Sequence, residues 1–233
     1  YSKGPHEASG TFEIGNPNLA KERAQTVELG LRRAQGAWRV DATAYYTRYS
    51  GFITKRLTGL TCDDDFATCG SGGGTELRQL VFAQQDATFH GVELRGQLDI
   101  GEIAGGTLGV EASYDFVRAR FADGTNVPRI PPHRLGGGLY WRDANWLARV
   151  SLLHAFAQNR IAAEETATSG YNLLNAELSY RMILRPGSGA HSLTFGLVGT
   201  NLLNEDIRNH VSFKKDEVLM PGRGVRFFTT VRF

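Results

Sequence analysis

Segments in which apolar and polar residues alternate run almost from end to end, and the connections between them alternate between very short and very long. Ala34-Gln35-Gly36, Gly101-Glu102-Ile103-Ala104-Gly105, Arg142-Asp143-Ala144-Asn145 and Arg185-Pro186-Gly187-Ser188-Gly189 read as tight turns. Between them lie excursions over 57–77, 122–132, 159–169 and 204–221, after an opening stretch over 1–22. A period of two is that of an extended strand, and strands joined by tight turns run antiparallel. Segregating short turns to one side and long loops to the other is the habit of strands that cross a membrane. A soluble sandwich has no reason to sort its loops in this way.

The alternation predicts nine strands, over 23–34, 37–56, 78–100, 106–121, 133–142, 145–158, 170–183, 190–203 and 222–233. In the last, Val225, Phe227, Thr229, Val231 and Phe233 share one face and Arg226, Thr230 and Arg232 the other, with Phe228 the exception. The fold class implied is all-β, an antiparallel transmembrane β-barrel with an apolar face toward lipid and a polar face toward a wet lumen. With the short turns taken as periplasmic, the final strand descends to a periplasmic C-terminus. The odd count then places the chain's beginning outside the cell. Bacterial single-chain barrels have even strand numbers, and an open sheet would leave unpaired backbone groups in hydrocarbon. The chain is therefore expected to be a C-terminal piece of a larger barrel.

Composition fits this reading without forcing it. Hydrophobic residues make up 41 % and the mean hydropathy is −0.28. No stretch approaches the roughly 18 apolar residues of a membrane helix, but a barrel strand dilutes its own apolar signal by alternation. The formal charge of +2, with Arg and Lys spread along the chain, points neither to nucleic acid nor to an acidic partner. Tyr1-Ser2-Lys3-Gly4-Pro5 has none of the features of a signal peptide. Trp38, Trp141 and Trp146 fall beside the short turns, where an interfacial girdle sits, and Tyr45, Tyr46 and Tyr49 gather toward the other end of their strand. Glu93, Arg95, Asp99 and Arg149 are expected to line the lumen, Gly136-Gly137-Gly138 a smooth patch of wall, and Gly72-Gly73-Gly74 a loop tip.

Several motifs resemble those of TonB-dependent outer-membrane receptors. Gly199-Thr200-Asn201-Leu202-Leu203-Asn204, then His210-Val211-Ser212-Phe213, Pro221-Gly222-Arg223 and a closing strand ending in Phe233 resemble that family's C-terminus. Gly15-Asn16-Pro17-Asn18-Leu19 with Glu22 is similar to its lead into a barrel strand, and Ala87 with Gly91-Val92-Glu93 to another of its strands. Gly4-Pro5-His6-Glu7-Ala8, the run 153–160 and Tyr171-Asn172-Leu173-Leu174-Asn175 look closer to the zinc and haem uptake (ZnuD-like) branch than to siderophore receptors. The resemblance implies a 22-stranded barrel around an N-terminal plug that a TonB energy-coupling complex pulls from the periplasm. It also implies that Phe233 is the insertion signal read by the barrel-assembly machinery. Residues 1–233 would then be barrel only, with plug, TonB box and upstream strands absent. Outer-membrane lipid and the TonB complex are the expected partners. The expected activity is metal uptake, zinc favoured, with a siderophore, haem or passive porin-like barrel as alternatives and no built-in cofactor.

Candidate ligands and bonds are few. Cys62 and Cys69 flank an aspartate-containing loop; a disulfide is the first reading in an oxidising compartment, with metal capture and free thiols as alternatives. His90 and His154 share faces with apolar residues and belong to an outer girdle, and His191 lies by a short turn. His6, His133 and His210 fall in or beside the long loops. A zinc site needs three or four converging imidazole, carboxylate or thiolate ligands, and His6 with Glu7 and His210 with Asp216 are the best-placed elements. No Gly-x-Ser-x-Gly elbow, phosphate-binding glycine loop or His-Glu-x-x-His motif is present, so an enzyme is not expected.

Overall fold

The structure is a computed structural model, and it describes residues 3–64, 68–70, 76–184 and 191–232. Asp65, the Gly72-Gly73-Gly74 run, the Arg185–Gly189 turn and Phe233 lie outside the described residues. Eleven strands form one open sheet. They are β1 (Lys3–His6), β2 (Thr11–Ile14), β3 (Arg23–Arg33), β4 (Trp38–Cys62), β5 (Leu77–Ile103), β6 (Gly106–Phe121), β7 (Arg134–Arg142), β8 (Trp146–Ala155), β9 (Tyr171–Ile183), β10 (Ser192–Thr200) and β11 (Gly224–Arg232).

Strands β3 to β11 are the nine that the alternation predicts, paired in sequence order as an antiparallel meander. Register decides which residues share a face, because directly opposed residues in an antiparallel pair point the same way. The row Leu31–Ala42–Leu94–Tyr114–Leu135 and the row Trp38–Leu98–Val110–Leu139–Val150 run across successive strands on one face. Apart from Leu60 in the outer part of β4, the large exposed apolar side chains of β3 to β8 carry this parity: Val27, Leu29 and Leu31, then Val92, Leu94 and Leu98, then Leu135 and Leu139, then Val150 and Leu152. A single apolar face this broad cannot be left in water; it is the lipid-facing side of a membrane wall.

Below the level of Arg118 and Arg120, the ion pairs lie on the other face. Asp99 accepts hydrogen bonds from Arg39 at 2.8 Å through both guanidinium nitrogens, approaches Arg142 at 3.3 Å and is contacted by the Tyr140 hydroxyl. Arg134 meets Asp115 at 3.0 Å, and Arg149 lies 3.5 Å from Glu111. Of the expected lumen residues, Asp99 and Arg149 thus face carboxylate or guanidinium partners across the strands. Phe228, the one break in the alternation of the last strand, lies over Gly196, where a Cβ would collide with its ring. Near the short turns Arg33 stacks on Trp38 at 4.0 Å, Trp141 donates to the Ile103 carbonyl at 2.8 Å, and Trp146 packs on Tyr180 at 4.8 Å.

The structure corrects the predicted boundaries on the long-loop side. The opening stretch 1–22 is not all excursion: β1 and β2 form a hairpin, and β2 runs parallel to β5 from Thr11↔Arg78 to Ile14↔Val81. The predicted 57–77 loop shrinks because β4 continues to Cys62 and β5 begins at Leu77. At 27 residues, β5 reaches roughly 90 Å, far more than a tilted crossing of a core about 30 Å thick requires. Its outer part therefore stands clear of the membrane, where β2 occupies the flank that β6 leaves free above Phe121. Parity also separates the three tyrosines: Tyr46 faces lipid, whereas Tyr49 turns inward to pack with Phe52 and Phe89 at 5.1 and 5.2 Å. Strand β10 stops at Thr200, before the 203 expected, because Asn201 takes a positive φ of 48°, a conformation asparagine tolerates better than most residues.

Candidate functional site

The long connections do not hang free. Segments 122–133, 156–170 and 201–223 fold onto one another and onto the projecting ends of β4 and β5, forming a crown. Gln158 is buried, donates through Nε2 to the carbonyls of Ile130 and Pro131 at 2.8 and 3.1 Å, and pairs through its backbone with Thr168. Asn126 donates to the Ile161 carbonyl at 3.0 Å, and Arg78 of β5 to the Phe213 carbonyl at 2.7 Å. Asn201 is buried and closes the last loop. Its Nδ2 donates to the Glu205 and Pro221 carbonyls at 2.9 and 3.2 Å, and its Oδ1 accepts the Glu205 N–H at 2.9 Å. Asn204 does the same for the far end, accepting the Arg223 N–H at 2.9 Å.

At the centre of the crown is a buried polar group. The His210 side chain is 1 % exposed and that of Glu165 7 %, with Nε2 and Oε1 3.4 Å apart. His210 Nδ1 meets the Thr168 hydroxyl at 3.0 Å. Glu165 accepts the backbone N–H of Arg129 at 2.8 Å and that of Ala162 at 2.9 Å. Burial pushes the Glu165 carboxyl up, but His210 and these two backbone donors outweigh it and hold the group below its ordinary value. The Arg129 guanidinium lies 3.9 Å over the Phe213 ring, where burial disfavours its charged form against the opposing pull of Glu165. A buried carboxylate is tolerated only when its hydrogen bonds are met, and here backbone donors meet those of Glu165.

Beside this group opens a cavity of ≈ 270 Å³ whose wall includes Arg56, Arg78, Arg129, Glu164, Glu165 and Lys215. Lys215 is buried and is held by Asp216 at 2.9 Å and by the Thr166 hydroxyl. Asp216 accepts from Thr166 at 2.7 Å; burial raises its carboxyl, and the Thr166 and Lys215 contacts bring it below the ordinary value.

The candidate ligands are placed as follows. His6 is exposed and bonded through Nδ1 to the Ser9 hydroxyl at 2.8 Å, with Glu7 exposed beside it. His210 faces Thr168 and Glu165, and Asp216 faces Thr166 and Lys215. Among the described residues no three His, Cys, Asp or Glu side chains are grouped so as to hold a metal. Cys62 and Cys69 are joined by a disulfide, and the fully buried Cys62 packs against Phe12 and Leu77. This ties the β4 end to the N-terminal hairpin. His90 and His154 lie among aromatic rings, His90 with Phe116 at 6.1 Å and His154 with Phe156 at 4.5 Å. Glu165, Thr168, Arg129 and Gln158 are the residues that sequence reasoning passed over. Only the paired acids Glu164-Glu165 in an otherwise polar loop offered a signal.

An open antiparallel sheet with one lipid-facing side, one charged side, short turns at one end and a folded crown at the other is a section of transmembrane barrel wall. The family model described as "TonB dependent receptor-like, beta-barrel" matches residues 1–202, and the chain belongs to that family. Members of this family are outer-membrane receptors. Three solved structures share the fold. The copper transporter OprC is 20 % identical with a TM-score of 0.66, over 92 % of this chain and 33 % of its own. The FrpB iron transporter from Neisseria meningitidis is 14 % identical with a TM-score of 0.60, over 94 % and 32 %. The ferric enterobactin receptor PfeA from Pseudomonas aeruginosa is 16 % identical with a TM-score of 0.53, over 94 % and 32 %. The chain spans about a third of the length of each.

Two positions of the motif Ala87 with Gly91-Val92-Glu93 have physical explanations. Ala87 is buried in an aromatic cluster with Tyr49, Phe52, Phe89 and Phe121. Gly91 lies under Tyr45, whose hydroxyl would come within 2.6 Å of an added Cβ.

Proposed function

We propose that residues 1–233 are the C-terminal wall and outer loops of a TonB-dependent receptor that takes up a metal species, the plug and further strands lying elsewhere in the protein. The observation that carries this reading is the crown. Its loops are locked by buried polar contacts around a charged cavity, where a passive pore would need only an open mouth. The unpaired edges β3 and β11 support a larger barrel, since hydrocarbon offers their backbone groups no partners. Energy coupling through a TonB complex, assembly through the C-terminal Phe233 and zinc as cargo belong to the same proposal.

Zinc competes with a second cargo class. His6, Glu7, His210 and Asp216 are the ligands a zinc reading would use, yet His210 and Asp216 are already engaged. The cavity wall carries Lys55, Arg56, Arg78, Arg129 and Lys215 against Asp123, Glu164, Glu165 and Asp216, so its charges nearly balance and exert no strong pull on a bare cation. Arg56 and Arg78 offer guanidinium forks that suit the anionic groups of a metal chelate, which sets such a chelate beside the free ion as cargo. The deciding experiment measures accumulation of free zinc and of anionic ferric chelates by cells with and without the full-length gene. Saturable uptake that needs the proton-motive force and disappears with the gene identifies the cargo. Loss of the gene without change in either would overturn the metal reading.

A further inference from the structure

A band of unpaired cations lies on the lipid-facing side of the wall, just above its aromatic level. Register places Arg48, Thr88 and Arg120 side by side on that face, and Tyr46, His90 and Arg118 in the next row toward the membrane. Arg160, from the segment after β8, joins them by lining one cleft with Arg118. Elsewhere Arg39, Arg134, Arg142 and Arg149 each face a carboxylate. Among the described residues Arg48, Arg118, Arg120 and Arg160 form no salt bridge. Nearby carboxylates are engaged elsewhere: Asp115 pairs with Arg134 at 3.0 Å, Asp123 accepts from Thr125 at 2.6 and 2.9 Å, and Asp86 accepts the Gly51 N–H at 2.7 Å.

Beneath the cations is an aromatic shelf. His133 stacks on Phe156 at 4.0 Å and meets Tyr114 and Phe116 edge-on at 6.4 and 6.3 Å. A cleft of ≈ 160 Å³ opens between the two levels, lined by Phe116, Arg118, His133, Gln158, Asn159 and Arg160. The apolar rows containing Leu94, Leu135 and Leu139 continue below.

Clustered guanidinium groups without carboxylates are held apart by repulsion unless an anion sits between them, and guanidinium forks match phosphate oxygens two at a time. Height selects the source of the phosphate: the boundary between an apolar belt and water is where lipid headgroups lie. We propose that Arg48, Arg118, Arg120 and Arg160 bind the phosphate groups of an outer-leaflet lipid whose acyl chains lie along the aromatic shelf and the apolar rows below it. This site rests on the reading of that face as lipid-facing with the crown outside. It is separate from the cargo cavity.

The test uses the full-length receptor, folded and scored for barrel formation by heat-modifiable gel mobility. Retained lipid is measured by native mass spectrometry after exchange from phosphatidylcholine vesicles carrying either phosphorylated lipid A or its dephosphorylated form. The wild type is expected to prefer the phosphorylated form. The Arg118→Gln, Arg120→Gln, Arg160→Gln triple variant is expected to lose that preference by about tenfold or more, and a Lys21→Gln, Lys214→Gln, Arg223→Gln control to keep it. A folded wild type without preference for phosphate overturns the lipid site while leaving the barrel intact. Inorganic phosphate displacing the lipid at equal concentration also overturns it, because the lipid body would then contribute nothing. Failure to fold into vesicles at all would instead overturn the membrane reading.

Discussion

In the wall, a residue's neighbours follow from strand register; in the crown, they follow from side chains that reach across long stretches of chain. Val150 meets Leu139 and Ala176 because β8 pairs with β7 and β9 one residue at a time. His210 meets Thr168 across 42 residues, and Arg129 meets Glu165 across 36, with no ladder to bring them together. The wall is stabilised by a repeated backbone pattern that tolerates most single changes provided parity is kept. The crown depends on a few buried polar groups, each costly to leave unpaired. The proposed uptake function needs both properties: a rigid wall to cross the membrane and a shaped, locally stabilised entrance.

Parity should produce the largest effect. Val150 and Ser151 are neighbours in mid-strand on opposite faces, so Val150→Arg is expected to destabilise the folded barrel by about 2–4 kcal/mol and Ser151→Arg by far less. Denaturant unfolding in vesicles checks this, and equal effects would break the assignment of faces. In the crown, His210→Ala leaves the buried Glu165 and Thr168 without their side-chain partner. It should cost about 2 kcal/mol of local stability, read as faster hydrogen exchange or proteolysis over 156–170 and 201–223 with barrel mobility unchanged. Asn201→Ala should produce a loss of about the same size, confined to the last loop. Reducing the Cys62–Cys69 disulfide opens a link between residues 7 apart, which should loosen the outer ends of β4 and β5 by about 2 kcal/mol.

The smallest effect should come from acid. Glu165 and Asp216 both sit below their ordinary values when folded, so the folded crown binds fewer protons than the unfolded one. Their contribution is complete above the ordinary Glu value of 4.5 and declines as pH falls through the lower folded values. Exchange in the crown should therefore quicken below about pH 4, while Glu165→Gln should flatten this response. A wall that loosened first on acidification would reverse the comparison.

The two regions also differ in how far the sequence discloses them. The nine strands of the meander, the short turns near 34–36, 101–105 and 142–145, and the lipid-facing parity of residues such as Leu139 and Val150 are readable from alternation. Phe228 was visible as an exception, and the structure supplied its reason in Gly196. A period of two is a local property, and the membrane enforces it on every strand by demanding one apolar face. What only the tertiary structure decided lies on the long-loop side: the parallel seating of β2 on β5, the extension of β4 and β5, and the meeting of His210 with Glu165. Sequence alone suggests His210 as a ligand beside Asp216, whereas its neighbours Thr168 and Glu165 come from another loop. These contacts link residues tens of positions apart through single side chains, so no period or spacing encodes them. They exist only once the wall has fixed where each loop begins and ends.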